Sequence, residues 1–389
     1  MIEPPQTLLI TGARAPVALH MARLLHGAGH RVVLADTPAH PISAASSSCD
    51  AYRQLPPPRF AGREYGRALK RLIAEERIDA VIPTCEEVFY VARAWRDEEM
   101  GAVLLAPDID LLARVHNKHD FIRLAESIGL AVPETTLLQS AADVESVRPA
   151  ARELVFKPVW SRFATSVLLR PEARALDAVV PTDAAPWIAQ AFVEGDEISS
   201  YCVARAGEVK ALSFYRSLYR AGKGAGVCFE PVQDREAAEF FHAFVRATSW
   251  TGQISFDLIR EPSGRVLPLE CNPRATSGLH FFSDPRAFAS AILGHGPAAP
   301  ADPTGIQGLR LALWTYGLPH ALRTGKVDHF MKTIGATRDI LDWPGDDRPR
   351  RAQWRTLWEM AAIAVRQRTS LQAASTHDIE WNGAFQSSI

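Results

Sequence analysis

Cysteine is scarce and shows no pairing pattern. Cys49, Cys85, Cys202, Cys228 and Cys271 are odd in number, far apart and never spaced C-x-x-C, which excludes a disulfide framework and a cysteine-based zinc site. A reducing cytoplasm is the expected compartment. An excess of one charge is also missing: 43 Lys+Arg against 44 Asp+Glu give a formal net charge of −1. Overall electrostatics therefore supply no reason to expect a nucleic acid or a membrane surface as partner, and a small molecule is the default. No segment approaches ~18 uninterrupted apolar residues, so no transmembrane span is expected. The opening "MIEPPQTLLITGARAP" has neither a basic n-region nor a long apolar core, so no export signal is expected either. Glycine is absent where a dinucleotide site would need it. "LLITGARAPVALHMARLLHGAGHRVVLADT" offers a strand, a turn, a helix and then Asp36, but Gly12 is followed by Ala-Arg-Ala-Pro. The G-x-G-x-x-G spacing that lets backbone approach a pyrophosphate is broken, which leaves a plain Rossmann-like scaffold.

What is present divides the chain by texture. Short aliphatic runs ("TLLITG", "RVVLADT", "DAVIPT", "AVLLAP") alternate with helix-like stretches over the first hundred residues, a βαβ rhythm that predicts a parallel sheet. From Leu111 the pattern changes. "LLARVHNKHDFIRLAESIGLAVPETTLL" predicts one helix carrying Asn117 and Lys118, with a stop at Gly129. Strand-like runs then dominate, with an amphipathic helix at "REAAEFFHAFVRATSW" and a hairpin at "GQISFDLIREPSGRVLPLECNP", so the middle reads as antiparallel sheet plus helices. In the tail, Trp354, Leu357, Trp358, Ala361 and Val365 recur like one helix face and are expected to pack inward.

The hairpin carries the chemistry. An apolar run ends in Glu270, Cys271 and Asn272, and a tight two-residue turn among Pro262, Ser263 and Gly264 would put Asp257 and Glu270 on the same sheet face. Like charges so placed destabilise by up to about 1 kcal/mol, more when buried, unless a cation lies between them. Asn272 points the same way. Three oxygen ligands without His or Cys favour Mg²⁺, which draws its remaining ligands from phosphates and water.

These residues occur in an order that resembles the ATP-grasp superfamily of carboxylate-activating ligases. The resemblance covers about residues 1–295 and rests on Lys118, on Lys157-Pro158, on "QAFVEGDE", on Asp257 and on "ECN". It implies an α/β and α+β chain: a Rossmann-like parallel-sheet domain over 1–114, an ATP-grasp fold of two α+β lobes over 115–302, and a C-terminal extension over 303–389. It implies ATP and Mg²⁺ as cofactors. Lys118 and Lys157 would meet the phosphates, while Gln190 stands where many relatives have an acid. Backbone groups of Ala191, Phe192 and Val193 would meet the adenine edge, and Glu197 would hold the ribose. The phosphate loop departs from the family: "VWSRFATS" has no glycine, and Ser161, Arg162 and Ser166 would substitute side-chain donors. Ser255 stands where D-alanine ligases use an arginine, so that branch is a poor match.

The implied reaction is attack of a substrate carboxylate on the γ-phosphorus of ATP, then displacement of phosphate by an amine. Arg274 is the expected stabiliser of the transferring phosphoryl group. Arg216, Arg220, Lys223, Ser277 and Gly278 are candidate substrate contacts. Glu86, just after a parallel strand, would hold an amine or merely begin a helix. Small-molecule acid and amine partners are expected, with a homodimer allowed and neither nucleic acid nor membrane called for. A bicarbonate-activating carboxylase or carbamoyl-phosphate-synthase-like enzyme, and a non-catalytic nucleotide-binding regulator, are the alternatives. "DIEWNG", near the C-terminus, resembles a terminal motif of bacterial ATP-grasp proteins.

Overall fold

A computed structural model describes residues 4–161, 166–222 and 224–385. Its first sheet is parallel, in the order β3-β2-β1-β4-β5, with β1 at Thr7–Thr11, β2 at Arg31–Asp36, β3 at Ala51–Gln54, β4 at Ala80–Pro83 and β5 at Val103–Leu104. Leu8, Leu9 and Ile10 on β1 are fully buried because helices cover both faces: α1 (Pro16–Gly27), α2 (Gly62–Glu76) and α3 (Val88–Asp97). Pro16 opens α1 at a position where its missing N–H costs nothing.

The expected single helix around Lys118 is two helices. α4 (Ile109–His116) ends at Asn117, and α5 (Lys118–Ser127) starts there, with the Asn117 side chain accepting from the backbone N–H groups of His119 and Asp120. A side-chain cap can restart a helix in a new direction without a break in apolar periodicity, so the pattern alone did not reveal the corner.

A four-stranded antiparallel sheet, β6-β9-β7-β8, follows: β6 (Thr135–Leu138), then helix α6 (Ala141–Val147), β7 (Leu154–Pro158), β8 (Leu168–Leu169) and β9 (Trp187–Ala191). The third sheet has seven strands in the order β14-β13-β10-β11-β12-β15-β16. They are β10 (Asp196–Arg205), β11 (Glu208–Arg220), β12 (Gly226–Val232), β13 (Gly252–Arg260), β14 (Val266–Asn272), β15 (Ile306–Gly308) and β16 (Thr337–Asp339). On β13, Ile254, Phe256 and Leu258 are buried on one face, toward α5 and α7 (Arg235–Ala247). Phe256 stacks on Phe121 at 5.5 Å and meets Phe241 at 4.6 Å and Phe244 at 4.9 Å. That period-2 alternation turns Asp257 to the opposite face.

The hairpin register arises differently from the expected two-residue turn. Glu261 N–H bonds to the Arg265 carbonyl at 2.9 Å, closing a three-residue loop with Gly264 at φ +90°. That loop alone would set Glu270 against Phe256. A bulge at Leu269 adds one residue to β14, so that Asp257 does face Glu270.

The C-terminal segment lies against the first sheet and its helices. Arg23 of α1 is fully buried and donates to Asp346 at 2.8 Å and to the carbonyls of Ile340 and Leu341. The long helix Arg348–Gln367 corrects an expectation: Trp354, Trp358 and Val365 are 62%, 78% and 80% exposed. It is held instead through its polar side. Glu359 accepts from the backbone N–H groups of Ala39 and His40, and Thr356 donates to the His40 carbonyl. Apolar spacing identifies a stripe but not what covers it.

Removing one member of the buried Arg23–Asp346 pair strands a charge without its counter-ion. Asp346→Ala is expected to lower unfolding free energy by about 3–5 kcal/mol, measured by urea titration. A loss under about 1 kcal/mol would mean that the pair is effectively solvated.

Candidate functional site

The site forms where β7, β9, β13, β14 and the start of α5 converge. Lys118 and Lys157 are both buried, 4% and 6% exposed, an expensive condition for ammonium groups that calls for acceptors on every side. Lys118 Nζ lies 3.2 Å from Glu270 Oε2 and donates to the Ser161 carbonyl at 2.9 Å. Lys157 Nζ donates to Gln190 Oε1 at 3.0 Å and to the Leu269 carbonyl at 3.1 Å. Leu269 is the bulge residue, so the distortion that sets the carboxylate register also supplies an acceptor to the lysine. Gln190 in turn donates to Thr135 Oγ1 at 3.0 Å, which fixes its amide. An amide here accepts from Lys157 without adding a third buried negative charge.

Asp257 and Glu270 stand opposite one another across β13 and β14. Ser199 Oγ donates to Asp257 Oδ1 at 2.8 Å, and Asn272 Nδ2 to Asp257 Oδ2 at 3.2 Å. Arg274 Nη2 donates to Asn272 Oδ1 at 3.1 Å. Burial, and then the neighbouring Glu270 charge, push the Asp257 carboxyl up to about 6. Burial opposes ionisation of Glu270 too, but Lys118 and Lys157 outweigh it and hold that group below the usual carboxylate range. Burial brings Lys157 down to about 8.

Among the described residues no group of three or more His, Cys, Asp or Glu side chains is placed to hold a metal. The candidate donors are instead two carboxylates and the Asn272 amide, whose nitrogen faces Asp257 and whose oxygen accepts from Arg274. Two facing carboxylates, with the Asn272 amide turned to present its oxygen, would suit Mg²⁺, which takes few protein ligands and prefers oxygen donors.

The remaining sequence candidates fall on several sides of this centre. Ala191 and Phe192 already donate their backbone N–H groups to the carbonyls of Glu134 and Glu153, both at 2.8 Å, which leaves their carbonyls and the Val193 amide as the free hinge groups among the described residues. Glu197 is paired with Arg220 at 2.5 Å, and Asp196 with Arg216 at 3.2 Å. Ser161 turns its hydroxyl to the Pro158 carbonyl at 3.1 Å and contributes its own carbonyl to Lys118. Gly278 is buried: a Cβ there would lie 2.6 Å from Ser213 Oγ and 2.7 Å from Tyr201 Cβ, so it is a packing position, with half-buried Ser277 beside it. Arg162 and Lys223 lie outside the described residues. Glu86 is buried just beyond β4, in the loop where ligands of open parallel sheets bind.

Several side chains at the site were not anticipated. Ser199 shares the strand face of Glu197 two residues earlier, a parity that could have disclosed it. Glu87 is buried and accepts from Thr11 Oγ1 at 2.7 Å and the Thr84 and Cys85 amides at 3.0 and 3.2 Å, with burial pushing its carboxyl up. Arg14 occupies the place of the missing glycines. It donates to Asp36 and to Asp378, both at 2.6 Å, so the acid that would hold a ribose in a dinucleotide site is already neutralised. Gly12 (φ +76°) is needed for close packing, since a Cβ would sit 2.6 Å from Thr84 Oγ1.

Residues 115–278 match a family model described as an ATP-grasp domain. With the lysine pair and the facing carboxylates in place on these sheets, residues 115–278 form an ATP-grasp domain within the chain. Solved structures of similar fold include N5-carboxyaminoimidazole synthetase from Staphylococcus aureus complexed with ADP, at TM-score 0.63 and 11% identity, covering 80% of this chain and 86% of that one. The L-amino acid ligase from Bacillus licheniformis gives TM-score 0.57 and 15% identity, with 75% of each chain covered. The biotin carboxylase domain of 2-oxoglutarate carboxylase from Hydrogenobacter thermophilus, in complex with MgADP, ADP and bicarbonate, gives 0.59 and 11%, covering 78% of this chain and 74% of that one. At these identities the likeness is one of fold. No curated protein matches the sequence.

The carboxylate pair makes a pH-dependent prediction. Between about pH 4 and pH 6 the folded chain keeps a proton on Asp257 that the unfolded chain has released, so this group's contribution to stability falls as pH rises through that window. In metal-free, nucleotide-free buffer, Asp257→Asn should therefore be more stable than wild type above pH 6, by about 1–3 kcal/mol, and no more stable at pH 4. Urea titrations at pH 4 and pH 8 check this, and equal stabilities at pH 8 would contradict it.

Proposed function

We propose that this protein is an ATP-dependent ligase that activates a small-molecule carboxylate as an acyl phosphate for attack by an amine, forming an amide or peptide bond. The observation that carries the reading is the array in which half-buried Asp257 faces half-buried Glu270 while the buried Lys118 and Lys157 close around the Glu270 side. Without a ligand the array balances two ammonium groups against two carboxylates. ATP phosphates would take over the lysines, and Asp257, Glu270 and Asn272 would hold Mg²⁺ between themselves and the phosphates, where it screens phosphate charge and withdraws electrons from the γ-phosphorus. The carbonyls of Ala191–Val193 and the Val193 amide would meet the adenine edge, with Glu197 on the ribose.

Arg274 is the residue we assign to the transferring phosphoryl group. It extends from the strand end that carries Asn272, and its guanidinium is already oriented by the Asn272 amide and by the Ala275 carbonyl at 3.2 Å. A fixed, always-charged donor set aimed where charge develops lowers the barrier without reorganising at the moment of reaction. Arg216, Arg220 and Lys223 would bind acidic substrate groups, Ser277 would lie beside the acyl centre, and Glu86 would receive the amine. Division into 1–114, 115–302 and 303–389, action in the cytoplasm and a homodimeric assembly belong to the same proposal.

Two measurements test it. Thermal shift should show stabilisation by Mg-ADP and none by NADH, since only a ligand of the native chain raises its stability; the reverse pattern would overturn the nucleotide assignment. With a competent carboxylate and no amine, hydroxylamine should trap the acyl phosphate as a hydroxamate. Arg274→Ala should keep Mg-ATP binding within about threefold and lose at least about a hundredfold in hydroxamate formation. Turnover that requires bicarbonate would identify a carboxylase instead, and nucleotide binding without turnover a regulator.

A further inference from the structure

Residues 376–383 make a set of contacts that packing alone would not require. Asp378 receives both terminal nitrogens of Arg14, at 2.6 and 2.8 Å, and the Thr37 hydroxyl. Arg59 donates to the His377 carbonyl at 2.9 Å and to Glu380 at 2.7 Å, and Tyr90 Oη to the Glu380 carbonyl at 2.6 Å. The segment is thus pinned along the carboxyl ends of the parallel strands. Its next residue, Trp381, is 3% exposed, stacks on Phe89 at 4.7 Å and meets Trp160 edge-on at 5.3 Å. Gly383 then lies against the indole of Trp160 so closely that a Cβ would come within 2.6 Å of the ring.

Trp160 is not an ordinary partner for a chain end. It sits three residues after Lys157 and immediately before Ser161, whose carbonyl holds the Lys118 ammonium. Its ring also meets that of His116 at 5.7 Å, next to the Asn117 corner from which α5 and Lys118 start. One of the two partners of the Lys118 ammonium, the Ser161 carbonyl, thus belongs to the residue that follows this indole, His116 before the Asn117 corner packs on it, and the tail holds the ring from the other side. The backbone leaving β7 has no glycine-rich wrap to define its own course.

We propose that Asp378–Gly383 is a positioning strut for the nucleotide site: it clamps Trp160 and thereby sets the Ser161 carbonyl and the Lys118 ammonium for phosphate binding. This rests on the ATP reading above. Asp378, Trp381 and Gly383 are positioning residues that touch no substrate. Arg14 and Asp36 are then the anchor of the strut, which accounts for a Rossmann-like strand end whose ligand-binding corner is filled by the chain's own carboxylate.

The test separates positioning from glue. Gly383→Val drives methyl groups into the Trp160 ring. It should weaken Mg-ADP binding, read by calorimetry, and raise KM for ATP, each by about tenfold, with kcat at saturating ATP within about twofold of wild type. In Gly383→Val/Trp160→Val the ring clash is gone and only the strain of a β-branched residue at φ +86° remains, so the melting temperature without ligand should recover in part while Mg-ADP binding stays about tenfold weak. Asp378→Asn, which keeps shape and loses the anchor charge, should weaken Mg-ADP binding about threefold, and it decides the matter if Gly383→Val does not fold. Wild-type Mg-ADP affinity in both single variants, or recovery of affinity together with stability in the double variant, would overturn the strut. A wild-type chain that binds no Mg-ADP overturns the ATP reading and the strut with it, an outcome distinguished by the wild type alone.

Discussion

Two carboxylates facing each other across a hairpin are a liability, and the ATP-grasp half of this chain is arranged around that liability. Asp257 and Glu270 meet only because a bulge at Leu269 corrects the register of a three-residue loop. The bulge carbonyl then accepts from Lys157, and Lys118 reaches Glu270 from the start of a separate helix. The aromatic layer of Phe121, Phe241, Phe244 and Phe256 holds the opposite face of the same strand rigid. Were that layer looser, the carboxylates could move apart and relieve their repulsion, and the bias toward a cation would be lost.

The first sheet shows how a binding corner can be retained in shape and reassigned in chemistry. Strand, turn, helix and acid are where a dinucleotide fold has them, yet Arg14 fills the turn and Asp36 is consumed by it. Gly12 persists for packing against Thr84 and Glu87. The corner holds Asp378 of the C-terminal segment, whose Trp381 packs edge-on against Trp160.

Much of this was legible before any coordinates. The βαβ rhythm, the antiparallel middle and the ordered lysines and acids predict the layers and bring Lys118, Lys157, Asp257, Glu270, Asn272 and Arg274 into one region, because strand parity is a short-range property that sequence records directly. What was hidden depends on long-range geometry. The bulge at Leu269 has no residue signature, and the Asn117 corner is concealed within uninterrupted apolar spacing. The partners of Arg216 and Arg220 are acids on the neighbouring strand. Trp354 and Trp358 have the spacing of a packed stripe and lie exposed, since periodicity says nothing of which side finds a neighbour. Asp378 and Trp381 were visible as a motif, but their partners lie hundreds of residues away.

That separation has a consequence for how the protein comes into being. Arg14 and Asp378 are 364 residues apart, so the contact ties the turn after β1 to a segment made long after it. The entropy of closing so long a loop is only slightly greater than for half its length, and thermodynamics does not forbid it. Its timing is another matter. A first sheet that folds as it emerges holds Arg14 on Asp36 and Thr37 until residue 378 has been made. Translation of this chain therefore passes through residues 115–278, the ATP-grasp domain, before the indole of Trp160 acquires its contacts with Trp381 and Gly383.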